Sequence, residues 1–507
     1  MRVSRAVGEA SRGEDHDGRD DAQARCDAVL LLPARRARRL LLRTGGGRER
    51  ADGFGEEEIR FESGDVTLGG TVLVPDGPPS PSRNPPKPAI ALVHGAGPHT
   101  REDQRAEAEA FAREGVVALV YDKRTEGYSQ FERSYELLAN DALAAVRALR
   151  TRPEANPDAV GLWGLSEGGW VVPMAASRPE GRDQVAFVVL VAASGVPPAR
   201  QHSWNLENEL RRQGVSGSMV GAVSRTAVRL LVGADLFAEA HHDPVGPLER
   251  TRQPVLALWG EKDRIQPPAE SARIVREALE RGGNENRAIR VFPDAEHALR
   301  SSPDGFVVRE QLAPGYPETV ASWAKRVARD GELGPSVVGP APQQARPLRP
   351  LAPLAWWESA WAQLGAVVLC VLAFASYPAV ALAAPLARLA LGRPYAAPGP
   401  TTRRVRRRAR LLSAAGLAAV LGFVGYFGYL MFTAASAVGP VVAGRPLSWL
   451  ALQALAVGAC ASALALAASW WSSRAEIGGT ETARIAALLA GGAVFAAWAA
   501  YWGLLLQ

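Results

Sequence analysis

The sequence predicts an α/β domain, built on a mostly parallel sheet with helices on both faces, followed by an all-α transmembrane domain. Three observations carry this. Short continuous apolar runs alternate with amphipathic stretches between about residues 54 and 330. Two segments of alternating polarity open that region. Four long, almost uncharged runs close the chain, at about 361–387, 411–432, 448–471 and 485–506, each at or beyond the roughly 20 residues that span a bilayer. At 507 residues the chain is too long for one ordinary domain.

Taken in order, residues 1–53 are rich in Arg, Gly and Asp, and their leucine clusters are interrupted by Arg35, Arg36, Arg38 and Arg39. A signal peptide needs an uninterrupted apolar core of roughly 7–15 residues, so this stretch reads as a disordered leader or as sequence upstream of the true start. The α/β domain is expected over 54–330. Glu58–Glu62 and Val66–Pro75 form a hairpin pattern, and a Pro-rich loop runs from Asp76 to Pro88. Ala89–Val93, Val116–Tyr121, the run ending at Leu165, Phe187–Val191, Val255–Trp259 and Ala288–Phe292 read as buried parallel strands, the last of these closing the sheet. Helices are expected over 104–114 and about 134–151, where Leu138, Ala142, Ala145, Val146 and Leu149 share a face. Segment 197–250 interrupts the alternation and reads as a cap inserted between strands. Residues 331–358 read as a Pro-rich linker, and 359–507 as the transmembrane domain.

Composition narrows the function. A net charge of +6 is spread over arginines, with no zinc-type spacing, Gly-rich phosphate loop or basic-aromatic interleaving, so neither nucleic acid, metal nor cofactor is expected. Cys26, Cys370 and Cys460 are far apart and suggest no disulfide framework.

The chemistry centres on Gly164-Leu165-Ser166-Glu167-Gly168-Gly169, between a strand and a helix. A Gly-x-Ser-x-Gly sequence in that setting marks a nucleophile elbow. A serine hydroxyl is a weak nucleophile and needs a base within hydrogen-bond reach, itself oriented by a carboxylate. Asp263 follows one later strand and His297 the next, giving a candidate triad Ser166, Asp263 and His297. Asp294 and Glu296 are alternative acids, but both lie within three residues of His297 and read as surface-turn residues. The Glu167 backbone N–H and one from the loop after His94, with Ala96 preferred over Gly95 or Gly97, form the candidate oxyanion hole. His94 reads as structural, and the adjacent His241 and His242 as solvated surface.

Together, His94-Gly95-Ala96-Gly97-Pro98, Tyr121-Asp122-Lys123-Arg124, Gly164–Gly169, Gly260-Glu261-Lys262-Asp263 and Glu296-His297 resemble the bacterial α/β-hydrolases. The resemblance is to small esterases and to serine peptidases of the prolyl-oligopeptidase and dienelactone-hydrolase type, and covers roughly 54–330. It implies hydrolysis of an ester, thioester or amide by an acyl-enzyme route. One departure is Thr125-Glu126-Gly127 after Arg124, where relatives carry glycine directly after the arginine. A different loop path is expected there, with no part in the chemistry.

The transmembrane runs carry no Asp, Glu, Lys, Arg or His at mid-span, which argues for an anchor rather than a transporter. Trp356, Trp357, Trp361, Trp470, Trp471 and Trp502 suit interfacial belts. The loop between the first two runs holds Arg388, Arg393, Arg403, Arg404, Arg406, Arg407, Arg408 and Arg410. The positive-inside rule places it in the cytoplasm and the hydrolase domain outside the cell membrane. Ala500–Leu505 loosely resembles the end of the four-helix membrane module that follows outward-facing penicillin-binding-protein-like hydrolases. The leading expectation is a membrane-anchored serine hydrolase acting on a small-molecule or peptide acyl substrate, with the bilayer as its other partner. The alternatives are a prolyl-oligopeptidase-type peptidase and a catalytically silent hydrolase-fold module that binds at the membrane. Protein partners are not indicated.

Overall fold

The computed structural model describes residues 53–76, 86–129, 132–331, 333–390 and 399–505. The expected leader, apart from Gly53, lies outside the described residues, as do Cys26 and Arg393.

Among the described residues, nine strands form one sheet in the order β1-β2-β4-β3-β5-β6-β7-β8-β9. The hairpin of β1 (Phe54–Ser63) and β2 (Val66–Pro75) is antiparallel, and β2 joins β4 (Val117–Tyr121) antiparallel. From β4 the sheet runs parallel through β3 (Lys87–Val93), β5 (Ala155–Leu165), β6 (Val188–Val191), β7 (Val255–Gly260) and β8 (Arg287–Phe292). Strands covered on both faces must be apolar throughout rather than alternating. Ala89-Ile90-Ala91-Leu92 meets that demand and is wholly buried. Because these strands are parallel, the loops that follow β3, β5, β7 and β8 all leave the same edge of the sheet.

The 288–292 run is not the last strand. Ser336–Val338 forms β9, parallel to β8 with Ala288 opposite Ser336 and Arg290 opposite Val338. Three exposed residues after a proline give no readable period, yet an edge position tolerates both features. The rest of the Pro-rich stretch is also held down. Trp204 Nε1 donates to the Arg346 carbonyl at 3.0 Å, Arg229 donates to the carbonyls of Ala352 and Pro353 at 2.7 and 2.9 Å, and Leu348 packs with Val196 and Trp204.

Segment 197–250 lies between β6 and β7 and is helical, including Pro198–Arg212 and a π-helical turn at Ala222–Ala227. Its apolar side does not end at water. Leu206, Leu210, Met219, Val220 and Val223 belong to the same core as Val438, Trp502 and Leu504. Polar groups fix this junction. Gln213 donates to the Ala435 carbonyl at 2.7 Å and accepts from the Val438 N–H at 3.2 Å. The Ser218 hydroxyl donates to the Gly503 carbonyl at 2.7 Å. Arg229 makes a two-pronged pair with Glu358 at 2.7 and 2.9 Å.

Among the described residues, four helices are long and apolar enough to cross a membrane, starting at Ala360, Pro400, Leu447 and Gly479, with mean hydropathy from 1.6 to 2.3. Small residues let them approach closely: a Cβ on Gly416 would stand 2.5 Å from the Phe374 ring, and one on Gly491 2.3 Å from Ala373. Pro400–Phe432 has 33 residues, or about 50 Å of helix. Just past its end, Ala435 meets the cap, while Arg403, Arg404, Arg406, Arg407, Arg408 and Arg410 crowd its start. The α/β domain therefore docks on the end of the bundle away from these arginines.

Candidate active site

The elbow is built by close approach. Ser166 has φ +55°, a left-handed conformation that costs a non-glycine residue about 1–2 kcal/mol. The surroundings hold it there. Its N–H donates to the Val191 carbonyl and its carbonyl accepts from Gly169, both at 2.9 Å. A Cβ on Gly164 would lie 2.3 Å from the Gly168 carbonyl oxygen, one on Gly168 2.6 Å from that of Val93, and one on Gly169 2.6 Å from Ala193 Cβ. The glycines are there because strand, turn and helix touch backbone to backbone.

Asp263 and His297 come together from adjacent strand ends. Gly260 ends β7 opposite Phe292 of β8, and a Cβ on Gly260 would lie 2.2 Å from the Glu296 carbonyl oxygen. Asp263 is fully buried. Its Oδ1 accepts from the Ile265 and Gln266 N–H groups at 2.8 and 2.9 Å, leaving Oδ2 at 3.0 Å from His297 Nδ1. A carboxylate only accepts, so the Nδ1 proton donates to it and Nε2 is left as the basic nitrogen. Burial alone would depress the His297 pKa, but the charge and hydrogen bond of Asp263 outweigh it and raise the pKa above the ordinary value.

Of the two rejected acids, Asp294 is an exposed turn residue, whereas Glu296 is not. It is 5% exposed, and its Oε1 accepts from the Ala298 and Arg300 N–H groups, both at 3.0 Å. Burial raises its pKa. Its role is to shape the turn that presents His297.

The loop after β3 lies against the serine, since a Cβ on Gly95 would be 3.6 Å from Ser166 Cβ. Among the described residues nothing accepts the N–H of Ala96 or of Glu167, whereas the Gly97 N–H is committed to the Tyr128 hydroxyl at 3.0 Å. This removes Gly97 as an oxyanion donor and keeps the preferred pair free. His94 is buried, its ring stacked on His99 at 5.7 Å and edge-on to Tyr121 at 5.3 Å. Desolvation, aided by the Lys123 charge, pushes its pKa down to about 3, which suits a neutral structural ring. His242 departs from its expected surface position: half-buried, it meets the Tyr135 ring at 4.9 Å, while His241 is exposed.

The charges around Glu167 are buried. The sequence points to Glu167 only for its backbone N–H, yet its side chain is 0% exposed and pairs with Lys123 Nζ at 2.7 Å and Arg133 Nη1 at 3.1 Å. Tyr128 donates its hydroxyl to the same carboxylate at 2.9 Å. Lys123 and Tyr128 flank the departure from the family pattern, so that loop does reach the site. Its arginine goes elsewhere, Arg124 pairing with buried Asp141 at 2.6 Å. A signal was available, because a carboxylate in the otherwise uncharged stretch 159–177 has to be buried against a cation.

Residues 143–303 match the family described as BAAT / Acyl-CoA thioester hydrolase C terminal. The matched segment carries β5 to β8 of the mostly parallel sheet and is similar to that hydrolase family. The chain is 25% identical over 296 residues to esterase EstD of Thermotoga maritima, covering 52% of this chain and 67% of that protein. It is 34% identical over 86 residues to thiohydrolase aneE of Aspergillus aculeatus, covering 16% of this chain but only 27% of the relative. Among solved structures, a dienelactone hydrolase from Anabaena variabilis aligns with 54% of this chain and 96% of its own, at 20% identity and a TM-score of 0.34.

Proposed function

We propose that the chain is a membrane-anchored serine hydrolase that cleaves a carboxylic ester or thioester through an acyl-enzyme. The observation that carries this is the buried Asp263–His297 pair at 3.0 Å, on the sheet edge where Ser166 is held in its left-handed turn. His297 Nε2 takes the Ser166 proton as Oγ attacks the acyl carbon. Asp263 stabilises the resulting imidazolium. The free N–H groups of Glu167 and Ala96 receive the oxyanion. Collapse of the tetrahedral intermediate expels the alcohol or thiol, protonated by His297. Water then repeats the sequence on the acyl-enzyme and frees the acid. Thioesters enter as a specific reading because of the matched thioester-hydrolase family and the thiohydrolase relative.

The four apolar helices would anchor the enzyme, and the arginine-rich helix start away from the hydrolase domain favours an extracytoplasmic catalytic domain. The test is a side-by-side assay of detergent-solubilised protein on p-nitrophenyl butyrate, butyryl-CoA and an aminoacyl p-nitroanilide, with Ser166→Ala as control. Turnover of the ester or thioester that Ser166→Ala abolishes is expected. Preference for the anilide would favour the peptidase alternative, and no turnover at all the silent module. Protease access to the hydrolase domain in intact cells tests the orientation; full protection there overturns it.

A further inference from the structure

We propose that Lys123 and Tyr128 are positioning residues for the oxyanion hole, a single buried network that fixes both of its N–H donors. The inference rests on the hydrolase reading above. The ammonium of Lys123 has three protons and three acceptors: the Gly95 carbonyl at 2.6 Å, the Tyr128 hydroxyl oxygen at 2.8 Å and Glu167 Oε1 at 2.7 Å. Its side chain is 3% exposed, so water does not compete for any of them. The Tyr128 hydroxyl is equally committed. It accepts from Lys123 and from the Gly97 N–H at 3.0 Å, and donates its own proton to Glu167.

The geometry follows from which atoms these are. Lys123 holds the carbonyl of Gly95 and Tyr128 holds the N–H of Gly97. Ala96, whose N–H is one oxyanion donor, lies between these two anchors. A third contact acts on the same residue, since the Ala96 carbonyl lies 3.0 Å from His99 Nε2. The peptide is thus restrained on both sides. The other donor belongs to Glu167, and Lys123 and Tyr128 grip the side chain of that residue. One cation and one hydroxyl therefore bind together two loops that are 70 residues apart in sequence. Catalysis by an oxyanion hole depends on donors already placed for the transition state. Arg133 also pairs with the Glu167 carboxylate, so that side chain is held by two cations.

Neither residue reaches the reacting atoms through these contacts, so the effect should fall on kcat rather than on substrate binding. Tyr128→Phe removes one hydroxyl and leaves the Lys123–Glu167 pair. Lys123→Met also strips a buried carboxylate of a partner and is the variant more liable to misfold. The experiment compares purified full-length wild type and Tyr128→Phe, with active sites counted by fluorophosphonate titration. It measures hydrolysis of p-nitrophenyl butyrate and inhibition by the matching trifluoromethyl ketone, which becomes a tetrahedral oxyanion on Ser166. Loss of one oxyanion donor lowers kcat by about 100–1,000-fold. Misplacing a donor is expected to give about 10–100-fold per titrated site, with KM within about twofold. The ketone should bind weaker by a similar factor. A merely structural tyrosine would lower the number of titrated sites and leave kcat per site and ketone affinity unchanged; that result overturns the proposal. If wild type itself takes up no fluorophosphonate, the hydrolase reading fails, and this inference with it. If wild type titrates and Tyr128→Phe matches it, only the positioning role fails.

Discussion

The most informative single substitution is Asp263→Asn, because the structure dictates which way the new amide must face. Oδ1 of Asp263 receives two backbone N–H groups, from Ile265 and Gln266, at 2.8 and 2.9 Å. An amide NH2 at that position would point donors at donors. The asparagine oxygen therefore takes the Oδ1 site, and its NH2 takes the Oδ2 site, 3.0 Å from His297 Nδ1. That contact holds only if Nδ1 becomes the acceptor, so the ring proton moves to Nε2. A histidine protonated at Nε2 cannot remove the Ser166 proton. The equivalent change in the worked Ser-His-Asp template lowers kcat about 10⁴-fold, or about 5.4 kcal/mol at 1.36 kcal/mol per decade. The same order is expected here, with the fold retained because both backbone hydrogen bonds to the side chain survive. The assay is p-nitrophenyl butyrate hydrolysis near neutral pH, with thermal unfolding measured in parallel. Glu296→Gln is the control. Both backbone contacts of Glu296 go to one oxygen, which a glutamine amide can supply, so a loss below about tenfold is expected on that ground. A folded Asp263→Asn enzyme within tenfold of wild type, or a Glu296→Gln loss as large as that of Asp263→Asn, would refute this reasoning.

Other outcomes follow from the same geometry. Activity should fall as pH drops through the His297 pKa, because protonation removes the base. Asp263 raises that pKa, so the acid limb should lie above the ordinary histidine value, and a limb below it contradicts the assignment. Ser166→Gly should abolish turnover yet raise thermal stability, since relieving φ +55° returns about 1 kcal/mol; a lower melting temperature argues against a strained elbow. Gly164→Ala should destabilise by about 1–3 kcal/mol through overpacking, since its Cβ would stand 2.3 Å from the Gly168 carbonyl oxygen. Denaturant unfolding checks this, and an unchanged midpoint is the contrary result. Arg229→Met, which leaves Glu358 without its two-pronged partner at the cap, should increase proteolytic cleavage between the α/β domain and the apolar helices; identical cleavage would mean the junction does not depend on it.

Much of the fold was legible because its code is local. Ala89–Val93 and Val255–Trp259 are apolar throughout, as strands buried on both faces must be, and both lie in the central sheet. Ser166, Asp263 and His297 could be ordered along the chain because each follows a strand end, and the strands are parallel. What escaped has the opposite character. β9 is three exposed residues that form a strand only because the β8 edge is open to them. The Lys123–Tyr128–Glu167 network joins residues about 40 positions apart, and its members look like loop charges until the side chains are seen buried. Glu296 was misread because proximity to His297 suggested surface, while its carboxylate is folded back onto its own turn. The cap's apolar side could not be assigned a partner, because that partner, around Val438 and Trp502, lies more than 200 residues downstream.

The central claim is that Ser166 is a nucleophile activated by His297. Its most direct test is covalent: membranes containing the full-length protein are treated with a fluorophosphonate, and the adduct is located by peptide mass spectrometry. The account predicts one adduct, on Ser166, lost in Ser166→Ala and strongly slowed in His297→Gln. No adduct on the folded wild type, an adduct on another residue, or labelling at the same rate without His297 would contradict it.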